Sequence, residues 1–188
     1  NTMTGKGQLL EIANIGKAFG GVQALEAIEL RLPTASITGL IGPNGAGKTT
    51  LFNVITGMFP PDTGEILFAG RSINGMDIHR RVEIGIARTF QNVELFESMT
   101  VLENILVGLY TRTRAGMFES ILGLPRTRRE EKQARTRAMD LLAFVGLEGY
   151  AHQKSGDLPF GWQRLLELAR AMAAEPSLLL LDEPAAGL

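Results

Sequence analysis

Gly42, Pro43, Asn44, Gly45, Ala46, Gly47, Lys48, Thr49 and Thr50 satisfy the pattern G-x-x-x-x-G-K-[ST] at every position. They lie between an apolar run at 36–41, which reads as a buried strand, and a run in which Leu51, Phe52, Val54 and Ile55 recur at helical spacing until Gly57. Few patterns constrain a chain as tightly, because strand, glycine loop and helix in that order build a cradle for nucleotide phosphate. Glycines at 42, 45 and 47 open backbone conformations closed to residues with a Cβ, so successive N–H groups converge on one anion. The helix that follows adds unpaired N–H groups and the positive end of its dipole. Lys48 brings a mobile full charge to the terminal phosphates, and the Thr49 hydroxyl is a ligand for Mg²⁺.

The rest of the composition narrows the setting. A chain of 188 residues, 45% of them hydrophobic, buries a sizeable core and suits one domain with a subdomain. A net charge of -1 offers no basic excess for nucleic acid. The absence of cysteine excludes disulfides and thiolate metal sites and suits a reducing compartment. No apolar run is long enough to span a bilayer and no signal pattern opens the sequence, so a cytoplasmic location is expected.

Upstream of the cradle, residues 9–15 read as a short strand. Residues 24–32 alternate, with Ile28, Leu30 and Leu32 on one face and Glu29 and Arg31 on the other. Between them, Phe19-Gly20-Gly21-Val22 sets an aromatic ring beside flexible backbone, where it either anchors the loop or stacks on a purine. Downstream, Pro60-Pro61-Asp62-Thr63-Gly64 is a turn, residues 65–68 are a strand, and Arg88-Thr89-Phe90-Gln91 closes another. Gln91 at a strand end either reaches a metal or an attacking water, or serves as a loop hydrogen-bonder.

Thr100-Val101-Leu102-Glu103 is a capping box ahead of a helix at 104–109. Thr127-Arg128-Arg129-Glu130 is a second one, opening a helix that runs to Val145 with Gly146 as its stop. Residues 92–157 are therefore expected to form a helical insertion. Residues 111–137 carry a local excess of five positive charges, which suits a solvated face or a docking surface for a partner or anionic lipid. Leu165, Leu168, Ala169 and Met172 share a helix face that Glu175-Pro176 ends.

Four leucines at 178–181 suit a strand buried on both faces, and Asp182 and Glu183 follow at its end. Unpaired buried charge costs several kcal/mol, so the two acids need a reason. A Mg²⁺ ion held by phosphates supplies it for Asp182. Glu183 points the opposite way and is placed to orient or deprotonate a water attacking the γ-phosphate.

In this order the residues resemble the ATP-binding subunits of ABC transporters, over nearly the whole chain. The resemblance implies an α/β fold: a P-loop NTPase of ABC type, C-terminally truncated, whose mixed-sheet core (1–91 and 158–188) carries a helical subdomain (92–157). It implies that Phe19, with Val22 beside it, stacks on adenine. It implies that Gln91 links Mg²⁺ and the lytic water to the membrane subunits, that Thr49, Gln91 and Asp182 manage the metal, and that Glu183, Lys48 and Gln91 serve catalysis.

Leu158-Pro159-Phe160-Gly161-Trp162-Gln163-Arg164 holds the position of the family's signature. A Pro-Phe-Gly signature paired with Asp-Glu-Pro-Ala-Ala-Gly-Leu is similar to one of the two ATPase subunits of branched-chain amino-acid importers. The implied ligands are ATP and Mg²⁺. The implied partners are a second ABC ATPase subunit, two transmembrane permease subunits and, indirectly, a substrate-binding protein, at the cytoplasmic face of the inner membrane.

Two departures from the family pattern matter. Where the family has Leu-Ser-Gly-Gly-Gln, Pro159 removes the serine hydroxyl and a backbone donor, Phe160 replaces the first glycine and Trp162 the glutamine. An asymmetric heterodimer is expected, with a homodimer as the alternative. His79 and His152 both precede the Asp-Glu strand, so neither fits the family's γ-phosphate histidine, and the last strands and helix of a complete domain are expected beyond Leu188. Three other readings stay open. A soluble ABC-type ATPase acting on nucleic acid would show duplicated cassettes or coiled-coil heptads. A small-molecule kinase would need an acceptor-binding lid and a GTPase an Asn-Lys-x-Asp. The last is a nucleotide-binding module without turnover.

Overall fold

Two twelve-residue strands, β1 (Gln8–Phe19) and β2 (Val22–Pro33), pair antiparallel from Gln8↔Pro33 to Phe19↔Val22. Gly20 and Gly21 make the two-residue turn between them with φ of 54° and 87°, the left-handed pair that matches the twist of a hairpin. The computed structural model describes residues 7–89, 94–110 and 125–182, which divide into two compact units, 1–86 and 87–188.

In the first unit β3 (Thr63–Phe68) pairs with the free edge of β1, and β4 (Arg71–Ser72) with β3, giving the order β2-β1-β3-β4. The ladder between β1 and β2 carries two compensating bulges. Between Ile12↔Leu30 and Ile15↔Ile28, β1 uses an extra residue at the left-handed Asn14; between Ile15↔Ile28 and Lys17↔Leu25, β2 does the same at Ala27. Each bulge turns an odd spacing into same-face neighbours, so Ile12 and Ile15 are both buried. Helix α1 (Lys48–Thr56) adds Leu51, Val54 and Ile55 to this core. It ends at Gly57, where Met58 N–H bonds Asn53 O and Gly57 N–H bonds Val54 O, the paired closure expected at a glycine stop. Helix α2 (Ile78–Glu83) follows.

The strand expected at 36–41 does not form: Ile37 and Ile41 are fully exposed and Leu40 is 41% exposed. Apolar composition becomes a strand only where a ladder receives it. Here Thr34 N–H bonds Gly7 O, Ala35 takes a left-handed conformation, and the chain leaves the β2 edge with no ladder partner among the described residues.

In the second unit β5 (Ile86–Arg88) and β6 (Leu178–Leu180) form a two-stranded sheet. Leu178 and Leu180 are buried while Leu179 and Leu181 are half-buried, so burial falls mainly on one face. Helices α3 (Val101–Tyr110), α4 (Pro125–Phe144) and α5 (Phe160–Ala173) pack on one another around Val101, Ile105, Ala138, Leu142, Leu166 and Ala169.

The capping box at Thr100 forms in full. Glu103 accepts from the Thr100 N–H (2.7 Å) and hydroxyl (2.8 Å), and Thr100 Oγ1 accepts from the Glu103 N–H. Helix α4 begins at Pro125, ahead of the start expected at Thr127, with a residue preorganised for a first helical turn. Gly146 ends that helix as expected. On α5 the buried residues are Leu166, Ala169 and Ala173 rather than Leu165, Leu168 and Met172. The face is rotated because Glu167 is buried with them, its carboxylate 3.5 Å from Arg164 Nη1, and because Gly108 of α3 lies directly on the Arg170 backbone.

Candidate nucleotide site

The cradle is built by local rules. Gly45 and Gly47 both take φ near 80°, a conformation costly for any residue with a Cβ. Gly47 also needs its missing side chain for space, since a Cβ there would meet Ala24 O at 2.5 Å and Leu25 Cδ2 at 2.9 Å. The loop thus lies directly on β2. Gly47 occupies the N-cap of α1, and no side chain among the described residues caps the helix, which leaves its first-turn N–H groups without a side-chain acceptor there. Lys48 Nζ donates to Gly42 O (2.6 Å) and Pro43 O (2.8 Å), which folds the ammonium over the loop. Amides, helix end and ammonium converge as an anion site.

The hairpin sits beside it in sequence and on the same strand. Val22 lies two residues along β2 from Ala24, about 7 Å at the usual strand rise. Phe19, across the turn from Val22, is 41% exposed. Its ring meets Phe59 edge-to-face at 5.2 Å between centroids, and Lys17 Nζ lies 5.5 Å from its centroid. Lys17 is in turn held by Asp62 at 2.7 Å, and Asp62 also accepts from the Ala18 N–H. Those bonds, the lysine's first, hold the Asp62 carboxyl below its ordinary range. Phe19 is thus both anchored and available.

In the second unit Asp182 follows β6, 9% exposed. Mg²⁺ is the expected reason for burying such an acid; the structure supplies another, since Arg88 Nη2 stands 2.9 Å from Asp182 Oδ2. Thr89 N–H bonds Leu180 O, and Thr89 Oγ1 lies 3.4 Å from the Asp182 N–H. The structure therefore brings Arg88, Thr89 and Asp182 together. Gln91 and Glu183 lie outside the described residues. Arg88 escaped the sequence reading; the signal was a basic residue closing the apolar run Ile84-Gly85-Ile86-Ala87, where an inward partner is needed.

The signature segment opens α5. Pro159 O accepts from the Trp162 and Gln163 N–H groups at 2.9 and 3.0 Å, and no side chain caps the helix. Phe160 projects 53% exposed with the Arg164 guanidinium 5.4 Å from its ring. Trp162 packs edge-on against Tyr150, and Gln163 Nε2 bonds Leu158 O at 2.9 Å. The turn is held by rings and an amide where the expected pattern has small residues.

No three acidic or histidine side chains gather around a common point among the described residues. The Thr49 hydroxyl and the Asp182 carboxylate, each within its own unit, offer hard oxygens of the kind Mg²⁺ takes. No described helix is long and apolar enough to cross a membrane.

Comparison with known proteins agrees with this chemistry. The model of the ABC transporter family matches residues 25–186. The chain is 42% identical over 180 residues to the high-affinity branched-chain amino acid transport ATP-binding protein LivG of Escherichia coli, covering 96% of this chain and 71% of LivG. The ADP conformation of MJ1267, an ATP-binding cassette of an ABC transporter, superposes with a TM-score of 0.79 at 34% identity over 96% of this chain and 70% of that one. A dimeric post-hydrolysis state of the cassette MJ0796, bound to ADP and Pi, gives 0.79 at 27% identity over 96% and 76%. With the family model matching 25–186 and the relatives matching nearly its whole length, the chain belongs to the ABC transporter family and is an ABC ATPase domain, which uses ATP with Mg²⁺.

Proposed function

We propose that this chain is one of two ATPase subunits of an importer for branched-chain amino acids. The observation that carries the reading is the 42% identity to LivG across 96% of the chain. The cradle amides at 42–50 and Lys48 hold the phosphates, Phe19 and Val22 take the adenine, and Thr49, Gln91 and Asp182 hold the metal. Glu183 directs the attacking water. Residues 92–157 form the helical subdomain on a core made of 1–91 and 158–188. Through two permease subunits the domain sits peripherally at the cytoplasmic face of the membrane.

The partner is a second ATPase with a complete signature. Pro159 and Phe160 leave the signature of this chain short of a hydroxyl and a backbone donor, so the ATP it meets on the partner is held less firmly. Mg²⁺, when bound, neutralises phosphate charge; this chain's residues orient the triphosphate and hold the proton-accepting carboxylate. The test is leucine uptake into proteoliposomes holding the two permeases, a leucine-binding protein and both ATPases. Lys48→Ala in this chain is expected to stop uptake; uptake at the parent rate refutes the assignment.

A further inference from the structure

Arg81 is the largest fully buried side chain described, 2% exposed, and it meets no carboxylate among the described residues. All its bonds go to backbone carbonyls. Nη1 donates to Val54 O and Ile55 O, each at 2.7 Å; Nη2 donates to Ile73 O at 2.8 Å; Nε donates to Met76 O at 3.0 Å. Val54 and Ile55 lie in the last turn of α1, whose first turn carries Lys48, Thr49 and Thr50. Gly57, the stop of that helix, lies against the guanidinium so closely that a Cβ would meet Nε at 2.8 Å. The fold thus makes room for this buried cation at the carbonyl end of the helix that follows the glycine loop.

A buried charge without a counter-ion is expensive, and burial pushes Arg81 below its ordinary value. Helix carbonyls and the negative end of the dipole offset part of that cost. They leave a full positive charge at the carbonyl end of α1, roughly 12–15 Å from the loop at 1.5 Å per residue. The nucleotide brings the missing negative charge to the opposite end. Through a protein interior of effective dielectric about 20, a unit charge at that distance changes affinity by up to roughly tenfold for each unit of net negative charge on the nucleotide, and the buried path limits screening by salt.

We propose that Arg81 is a positioning residue that acts through α1: its buried cation at the carbonyl end of the helix strengthens triphosphate binding at the amide end. The inference rests on the reading of 42–50 as the ATP cradle.

The experiment compares Arg81→Lys with Arg81→Gln in the assembled transporter complex whose partner cradle is silenced, measuring the Kd of ATP and of ADP together with thermal unfolding. Lysine keeps the charge and glutamine keeps two N–H donors without it. The expected result is ATP affinity within about threefold of the parent for Arg81→Lys and a loss of at least about tenfold for Arg81→Gln, with a smaller loss for ADP because it carries less charge. Equal affinities for the two variants, or collapse of both folds, would leave Arg81 a structural role alone and overturn the inference. A parent complex that binds no ATP, or one that binds it unchanged after Lys48→Ala, would instead refute the cradle on which the inference rests.

Discussion

Replacing Gly47 with alanine asks whether the cradle is held by conformation alone or also by contact with β2. The left-handed φ of 83° costs alanine about 1–2 kcal/mol. The new methyl would also stand 2.5 Å from Ala24 O and 2.9 Å from Leu25 Cδ2. Because the first of these is strand backbone locked in a ladder, relief requires the loop to move, which adds about 1–3 kcal/mol on the scale of overpacked sites. Gly45 is the internal control: its φ is 81°, yet nothing lies within 4 Å of an added Cβ. Gly45→Ala is therefore expected to cost only the conformational part. Scanning calorimetry should place Gly47→Ala roughly 2–12 °C below Gly45→Ala, at about 2–4 °C per kcal/mol for a chain of this size. ATP titration should show the larger loss of affinity for Gly47→Ala. If the two variants melt together and bind ATP alike, the loop does not rest on β2 as described.

Removing the guanidinium in Arg88→Met strands the buried Asp182 carboxylate, an expected loss of about 3–5 kcal/mol in urea unfolding, most of it regained when Asp182→Asn is added. Asn104→Ala deletes a fully buried amide that accepts from the Phe96 N–H at 3.0 Å and donates to Phe96 O, Thr100 O and Ser155 Oγ. About 2–4 kcal/mol should be lost, read from the denaturation midpoint. Glu103 is held below its ordinary 4.5 by the Thr100 backbone bond first and the hydroxyl second. A depressed carboxyl stabilises the fold above its ordinary value and loses that contribution as pH falls through the folded one. Glu103→Gln should therefore be less stable than the parent at pH 7 and converge with it on acidification below 4.5; a constant difference between pH 7 and pH 3 would contradict the capping box.

What the chain declares in advance is what a few neighbouring residues decide. The Gly57 and Gly146 stops and the Thr100 capping box each depend on contacts within about six positions, and each forms as read. The bulges at Asn14 and Ala27 were hidden because strict alternation puts Ile12 and Ile15 on opposite faces; only the partner strand shows where an extra residue restores them to one. Residues 36–41 have strand composition, but pairing is a property of a neighbour far along the chain, and among the described residues they find none.

Buried charge was the hardest feature to see. Arg81 follows His79 and Arg80 in a stretch that looks solvated, and Arg88 stands beside a threonine; both are buried because carbonyls or a carboxylate distant in sequence receive them. The same holds for Glu167, whose pairing with Arg164 turns the α5 face away from the one that leucine spacing suggests.

The proposed function requires one ATPase site, with the cradle at 42–50 for the phosphates and the acids at 182 and 183 for metal and water. Single-turnover cleavage of MgATP by the Glu183→Gln variant, with its partner cradle silenced, tests this most directly. The account predicts binding at the parent affinity with cleavage lowered by at least about a hundredfold, the scale of a lost general base. Cleavage at the parent rate, or loss of binding in step with loss of cleavage, would contradict it.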